Sequence, residues 1–153
     1  MNGLETKKVI HWVLSIYIAF VFLQSLFFKF SGSEETEIIF NTIGTWMADI
    51  GLPQEFAQGF SQYGGTATGV AELVASLLVL VPATRIWGAL AGLMIMSGAI
   101  FFHLFTPLGV IRVVDAAGNT DGGLLFFMAC GVWLSSAALL FMGRRKLHRL
   151  ISH

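Results

Sequence analysis

The chain has 153 residues, of which 56% are hydrophobic and only 12% charged, and its mean hydropathy is +0.77. Soluble domains are about a quarter charged, so a water-soluble fold is excluded. Nine basic residues balance nine acidic ones, which leaves no electrostatic footprint for nucleic acid.

The first apolar stretch, Val9–Phe30, follows Lys7 and Lys8. That pair looks like the start of a secretory signal, but about twenty apolar residues without a small-x-small cleavage site predict a retained helix. Three more stretches follow at Thr66–Pro82, Ile86–Thr106 and Gly122–Met142. Each is about 17–22 residues, long enough to cross hydrocarbon as a helix. The expected fold is an all-α membrane protein, a four-helix transmembrane bundle forming one membrane domain over residues 1–153.

Residues 31–65 are too many for a simple connection. Ser33 can cap a helix whose first turn holds Glu34, Glu35 and Glu37, where acidic groups suit the helix dipole. Ile38, Ile39, Ile43, Trp46, Met47 and Ile50 then recur at helical spacing, which predicts a short amphipathic helix. Such a helix serves either as a membrane-surface anchor or as a lid. Gly51-Leu52-Pro53 breaks it, and Pro53 suits the first turn of a second short helix through Phe56 and Phe60. Gly64-Gly65 is expected to stop that second helix.

Pro82-Ala83-Thr84 predicts a tight turn between spans two and three, and Pro107 ends the third span. Val110–Val114 reads as a short extended segment, and Asp121 is placed to cap the fourth helix. Arg144-Arg145-Lys146 forms a basic anchor for anionic headgroups.

Four spans put both termini on one side of the bilayer. That side carries Lys7, Lys8, Arg85, Arg144, Arg145, Lys146 and Arg149, against Lys29 and Arg112 on the other. The asymmetry predicts cytoplasmic termini in a bacterial inner membrane.

Charges inside lipid are costly, so Lys29, Glu72 and His103 are candidates for function. Stripes at helical spacing would turn them inward. These are His11, Ser15, Ile18, Phe22, Ser25 and Lys29 on span one, and Gly65, Gly69, Glu72, Ser76 and Val79 on span two. Span three offers Arg85, Ala89, Gly92, Met96, Ala99 and His103. Each mixes small and polar residues, the pattern of packed membrane helices, and Gly88-x-x-x-Gly92 and Gly131-x-x-x-Ser135 add close-approach faces. Gln24 lies near the depth of Glu72. A carboxylate, an imidazole and an ammonium near the outer face suit a polar headgroup such as a quinone carbonyl, or proton transfer. The competing reading is a structural Lys29–Glu72 ion pair with His103 as a satisfied core residue.

Phe27, Phe28, Phe101, Phe102 and Phe105 either wall a pocket there or face lipid. His11 lies eighteen residues before Lys29, roughly 27 Å along the helix. His11 and His103 therefore belong to opposite faces, which excludes a bis-histidine haem within one chain. Glu72 and His103 alone make a poor metal site. A single cysteine, Cys130, and the lack of any C-x-x-C exclude thiol–disulfide catalysis within the chain.

Several of these segments, in this order, resemble the DoxX family of small four-helix membrane proteins. They are Phe27-Phe28-Lys29-Phe30-Ser31-Gly32, Gly51-Leu52-Pro53, Gly69-x-x-Glu72-Leu73 and Leu80-Val81-Pro82-Ala83-Thr84-Arg85. Gly98-Ala99 with His103 and Pro107, and Asp121-Gly122-Gly123, complete the set. The resemblance covers about Val9 to Gly143 and implies a bundle associated with membrane oxidoreductase systems, including quinone-linked sulfur oxidation. It places the site on Lys29, Glu72 and His103. The chain lacks the cysteine pairs of redox-active relatives. The expectation is an accessory membrane protein that binds a quinone-like or lipid-like molecule and supports a partner oxidoreductase. The rivals are a purely structural subunit of a larger membrane complex and a proton-coupled quinone oxidoreductase.

Overall fold

The computed structural model describes residues 3–151, apart from the side chains of Leu4 and of residues 145–151. Along it run α1 (Gly3–Phe30), α2 (Glu34–Asp49), α3 (Gln54–Leu80), α4 (Arg85–Phe105) and α5 (Leu124–Ile151). α1, α3, α4 and α5 are long and apolar enough to cross a membrane. They close into a ring, α1 on α3, α3 on α4, α4 on α5 and α5 on α1, while α2 lies against α3. Phe20, Leu77, Leu104 and Leu134, one from each spanning helix, are exposed on the outside of the ring. Apolar surface left in water costs about 25 cal/mol per Å2, so these faces need a lipid bilayer. The protein is a multi-pass, four-helix membrane bundle.

The small and polar stripes face inward as their spacing predicts. Ser15, Ile18 and Phe22 of α1 are buried, as are Gly69, Glu72, Ser76 and Val79 of α3 and Ala89, Gly92, Met96 and His103 of α4. Val132, Ser136 and Leu139 complete the core from α5. Glycine sets the closest approaches: Gly88 lies against the Val79 backbone, and Gly131 beneath the Tyr17 hydroxyl.

The second span departs from expectation. A separate short helix ending at Gly64-Gly65 does not form, and α3 is a single helix of 27 residues. The two glycines are a contact surface rather than a stop. A Cβ on Gly64 would stand 2.6 Å from Phe40 Cδ1, and one on Gly65 would stand 2.9 Å from Thr36 Cγ2. α2 can approach only where α3 has no side chains. Pro53 accordingly stands just before α3 as its N-cap residue rather than inside the first turn.

α1 begins six residues before Val9, and α5 continues past Met142. On α2 the buried face is Phe40, Ile43, Gly44 and Met47, whereas Ile50 is exposed. The expected caps form. Thr36 N–H donates to Ser33 Oγ at 3.3 Å, and the N–H groups of Gly123 and Leu125 donate to the Asp121 carboxylate at 2.9 and 3.3 Å. The Pro82–Thr84 turn is present. Val110–Val114 contributes one isolated antiparallel bridge, Val113 to Thr120, rather than a strand. Of the basic anchor, the side chains of Arg145 and Lys146 lie outside the described residues, as does that of Arg149; that of Arg144 packs over the Phe141 ring, 4.4 Å from its centroid.

Candidate functional site

Four residues apart on a helix means one face, so Ser25 and Lys29 point the same way from the end of α1. They meet Glu72, which α3 carries with its side chain 3% exposed. Lys29 Nζ donates to Glu72 Oε2 at 2.6 Å, Ser25 Oγ donates to the same oxygen at 2.5 Å, and Lys29 Nζ also reaches Ser25 Oγ at 3.1 Å. A carboxylate taken out of water needs both a counter-charge and hydrogen bonds, and α1 supplies both. Both bonds fall on Oε2. Among the described residues, Oε1 receives none.

A cavity of about 460 Å3 opens beside this pair. Ser25, Lys29 and Glu72 line it from α1 and α3, and His103 lines it from α4. The walls between these polar groups are apolar, mostly aliphatic and methionine side chains such as Ile43 and Met96, with the rings of Phe22, Phe40, Phe60 and Phe102 among them. Ile39, Phe40 and Ile43 place α2 across the cavity as a lid. The rings of Phe40 and Phe60 lie 5.5 Å apart, those of Phe60 and Phe102 5.8 Å, and those of Phe102 and Trp46 6.4 Å. This aromatic run ties the lid to α3 and α4.

His103 joins the cavity but not the ion pair. Its Nδ1–H donates to the Gly109 carbonyl at 2.6 Å, and its ring packs edge-on against Phe126 at 5.6 Å. Gly109 has φ +72°, a left-handed conformation that favours glycine and turns its carbonyl back toward the helix. The expected mutual contact of Lys29, Glu72 and His103 is therefore replaced by two polar groups on separate walls of one chamber. Gln24 is exposed on α1 and does not line the cavity. Of the five candidate phenylalanines, Phe102 lines it, while Phe27, Phe28, Phe101 and Phe105 are exposed. Cys130 is half-buried on α5.

One functional feature escapes the sequence pattern. Arg112 counts there only as a positive charge, yet its side chain is 1% exposed. It pairs with Glu35 of α2 and lies 3.5 Å from the Asp121 carboxylate. Glu34 accepts the Ala116 N–H at 2.7 Å. The α4–α5 connection is thus clamped onto the first turn of the lid helix. A lone arginine in one connection, with three acids in the first turn of the helix in another, is the signal that could have revealed it. Burial pushes the Asp121 carboxyl up, but N–H groups of Gly123, Arg112 and Leu125, with the Arg112 charge, hold it below its ordinary value.

No family profile, curated protein or solved structure matches the chain.

Proposed function

We propose that this is an accessory membrane protein that holds a quinone-like or lipid-like molecule in the cavity beneath α2 and supports a membrane oxidoreductase. Its setting is the bacterial inner membrane, with both termini cytoplasmic and the cavity in the outer leaflet. The observation that carries this reading is a chamber of about 460 Å3 with apolar walls and polar groups at separate points. That volume lies within the ~300–1,000 Å3 range of small-molecule sites, and few polar groups among many apolar ones is their usual make-up.

The residues fit a quinone. A quinone carbonyl needs a donor, and Lys29 Nζ supplies one from α1; on the other wall His103, whose Nδ1–H is spent on Gly109, offers Nε2 as an acceptor for a quinol hydroxyl. The four phenylalanines in the lining suit a flat ring, and the aliphatic remainder an apolar tail. A bound quinone would supply reversible two-electron, two-proton chemistry. The chain's part is to exclude water, orient the headgroup and hold protons at Glu72 and His103. The DoxX resemblance points to the same class of role.

The test is native mass spectrometry with solvent extraction of gently solubilised protein, wild type beside Glu72→Gln. The neutral amide removes the counter-charge that fixes the Lys29 ammonium, so the headgroup donor is held less firmly in place. A co-purifying small molecule that vanishes in Glu72→Gln supports the reading. Bulk lipid alone in both preparations, with a partner protein travelling with each, would make the chain a structural subunit instead.

A further inference from the structure

At the opposite end of the bundle lies a second cavity, of about 390 Å3, which the proposed function does not use. Lys8 and His11 line it from α1, and Arg85 lines it from the first residue of α4. Trp12, Ile86 and Leu139 supply apolar walls. No acidic side chain is in the lining; Glu5, one turn before Lys8, is exposed outside it.

Arg85 is held in place. Its Nε donates to the Val79 carbonyl at 3.2 Å, and its guanidinium lies over the Trp12 ring, 4.7 Å from the centroid. Its Nη2 is nevertheless buried with no hydrogen-bond partner among the described residues. A buried guanidinium nitrogen without an acceptor is disfavoured, and its fork matches the oxygens of a phosphate. His11 spends Nδ1–H on the Lys7 carbonyl at 2.7 Å, which leaves Nε2 as its other polar atom.

We propose that this cavity binds the phosphate of an anionic phospholipid headgroup. Arg85 is the fixed donor and Lys8 the mobile counter-charge. A lipid suits the site better than a soluble anion for two reasons. The walls beside the basic groups are apolar, and the site lies at the helix ends, at headgroup depth, where tryptophan is favoured. This site and the Lys29–Glu72 cavity stand or fall separately.

The experiment uses the full chain, delipidated and titrated by native mass spectrometry with phosphatidylglycerol, phosphatidylcholine or inorganic phosphate. Wild type is expected to retain one phosphatidylglycerol in preference to phosphatidylcholine. Each cation removed should weaken that binding about fivefold, in Lys8→Gln and in Arg85→Gln. Lys8 is exposed, so Lys8→Gln decides the matter even if loss of the Arg85–Val79 bond prevents Arg85→Gln from folding. Equal retention of the two lipids, or wild-type affinity in Lys8→Gln, overturns the proposal. Inorganic phosphate binding as tightly as the lipid would overturn the lipid assignment.

Discussion

Lys29 and Glu72 differ in how each would bear the loss of its partner. The Lys29 side chain is 16% exposed at a helix end and can snorkel toward headgroups, while that of Glu72 is 3% exposed and cannot leave. Lys29→Met should therefore destabilise the bundle more than Glu72→Leu, the former by about 1–3 kcal/mol for a stranded carboxyl. The double variant Lys29→Met/Glu72→Leu should recover much of that loss, because an apolar pair of similar size replaces a buried ion pair at little cost. Thermal unfolding in one detergent measures all three. Equal losses in the two single variants would show that burial does not set the energetics of the pair. The sequence exposes Lys29, Glu72 and Ser25 through spacing alone, since inward-facing stripes follow from 3.6 residues per turn. It does not expose the partner of His103, because that is a backbone carbonyl in a loop whose path depends on Gly109.

At the scale of elements, the lid helix depends on missing side chains. Alanine in place of a helix-interior glycine ordinarily gains about 0.5–1 kcal/mol. Gly59→Ala should do so, since a Cβ there meets nothing within 4 Å. Gly64→Ala should instead cost about 1–2 kcal/mol, because its Cβ would press on Phe40 and lift α2. Hydrogen exchange across residues 34–49 separates these outcomes; faster exchange in Gly64→Ala with slower exchange in Gly59→Ala is expected. The same glycines show why the second span is misread from sequence. A Gly-Gly pair carries the signature of a helix stop, and only the tertiary contact with Phe40 and Thr36 makes it a helix interior.

The Arg112 clamp belongs to this scale too. Arg112→Gln should speed exchange over residues 106–121 and at the start of α2, and leave the core of α5 unchanged. Asp121 adds a pH dependence of definite sign. Its folded value lies below the ordinary one, so its contribution is present above about pH 4 and is lost as pH falls through the lowered value. Protection factors over the same loop, taken relative to the intrinsic exchange rate at each pH, should fall on acidification, and Asp121→Asn should flatten that response.

For the whole molecule, the four spans and their order are legible because apolar length is a strong signal. The helix ends are not, since α1 and α5 run past the apolar stretches into polar residues at the membrane surface. The polar lining of the larger cavity is legible in Lys29, Glu72 and His103, but most of its apolar walls and the whole second cavity are not, because they arise where several helices fail to fill space together. Topology is open to direct test. In a Cys130→Ser background, Ala117→Cys should react with an impermeant maleimide added to intact spheroplasts, whereas Ala83→Cys should react only after lysis. The reverse pattern would invert the bundle and put the Lys29–Glu72 cavity in the inner leaflet.

The central claim is that an apolar molecule with a polar head occupies the chamber beneath α2. Photolabelling of native membranes with an azido-quinone, followed by peptide mapping, tests it most directly. The account predicts label on cavity residues such as Phe40, Met96 and Phe102, competed away by unlabelled quinone and reduced in Glu72→Gln. Label spread without competition over lipid-facing residues such as Phe20 and Leu134 would contradict it.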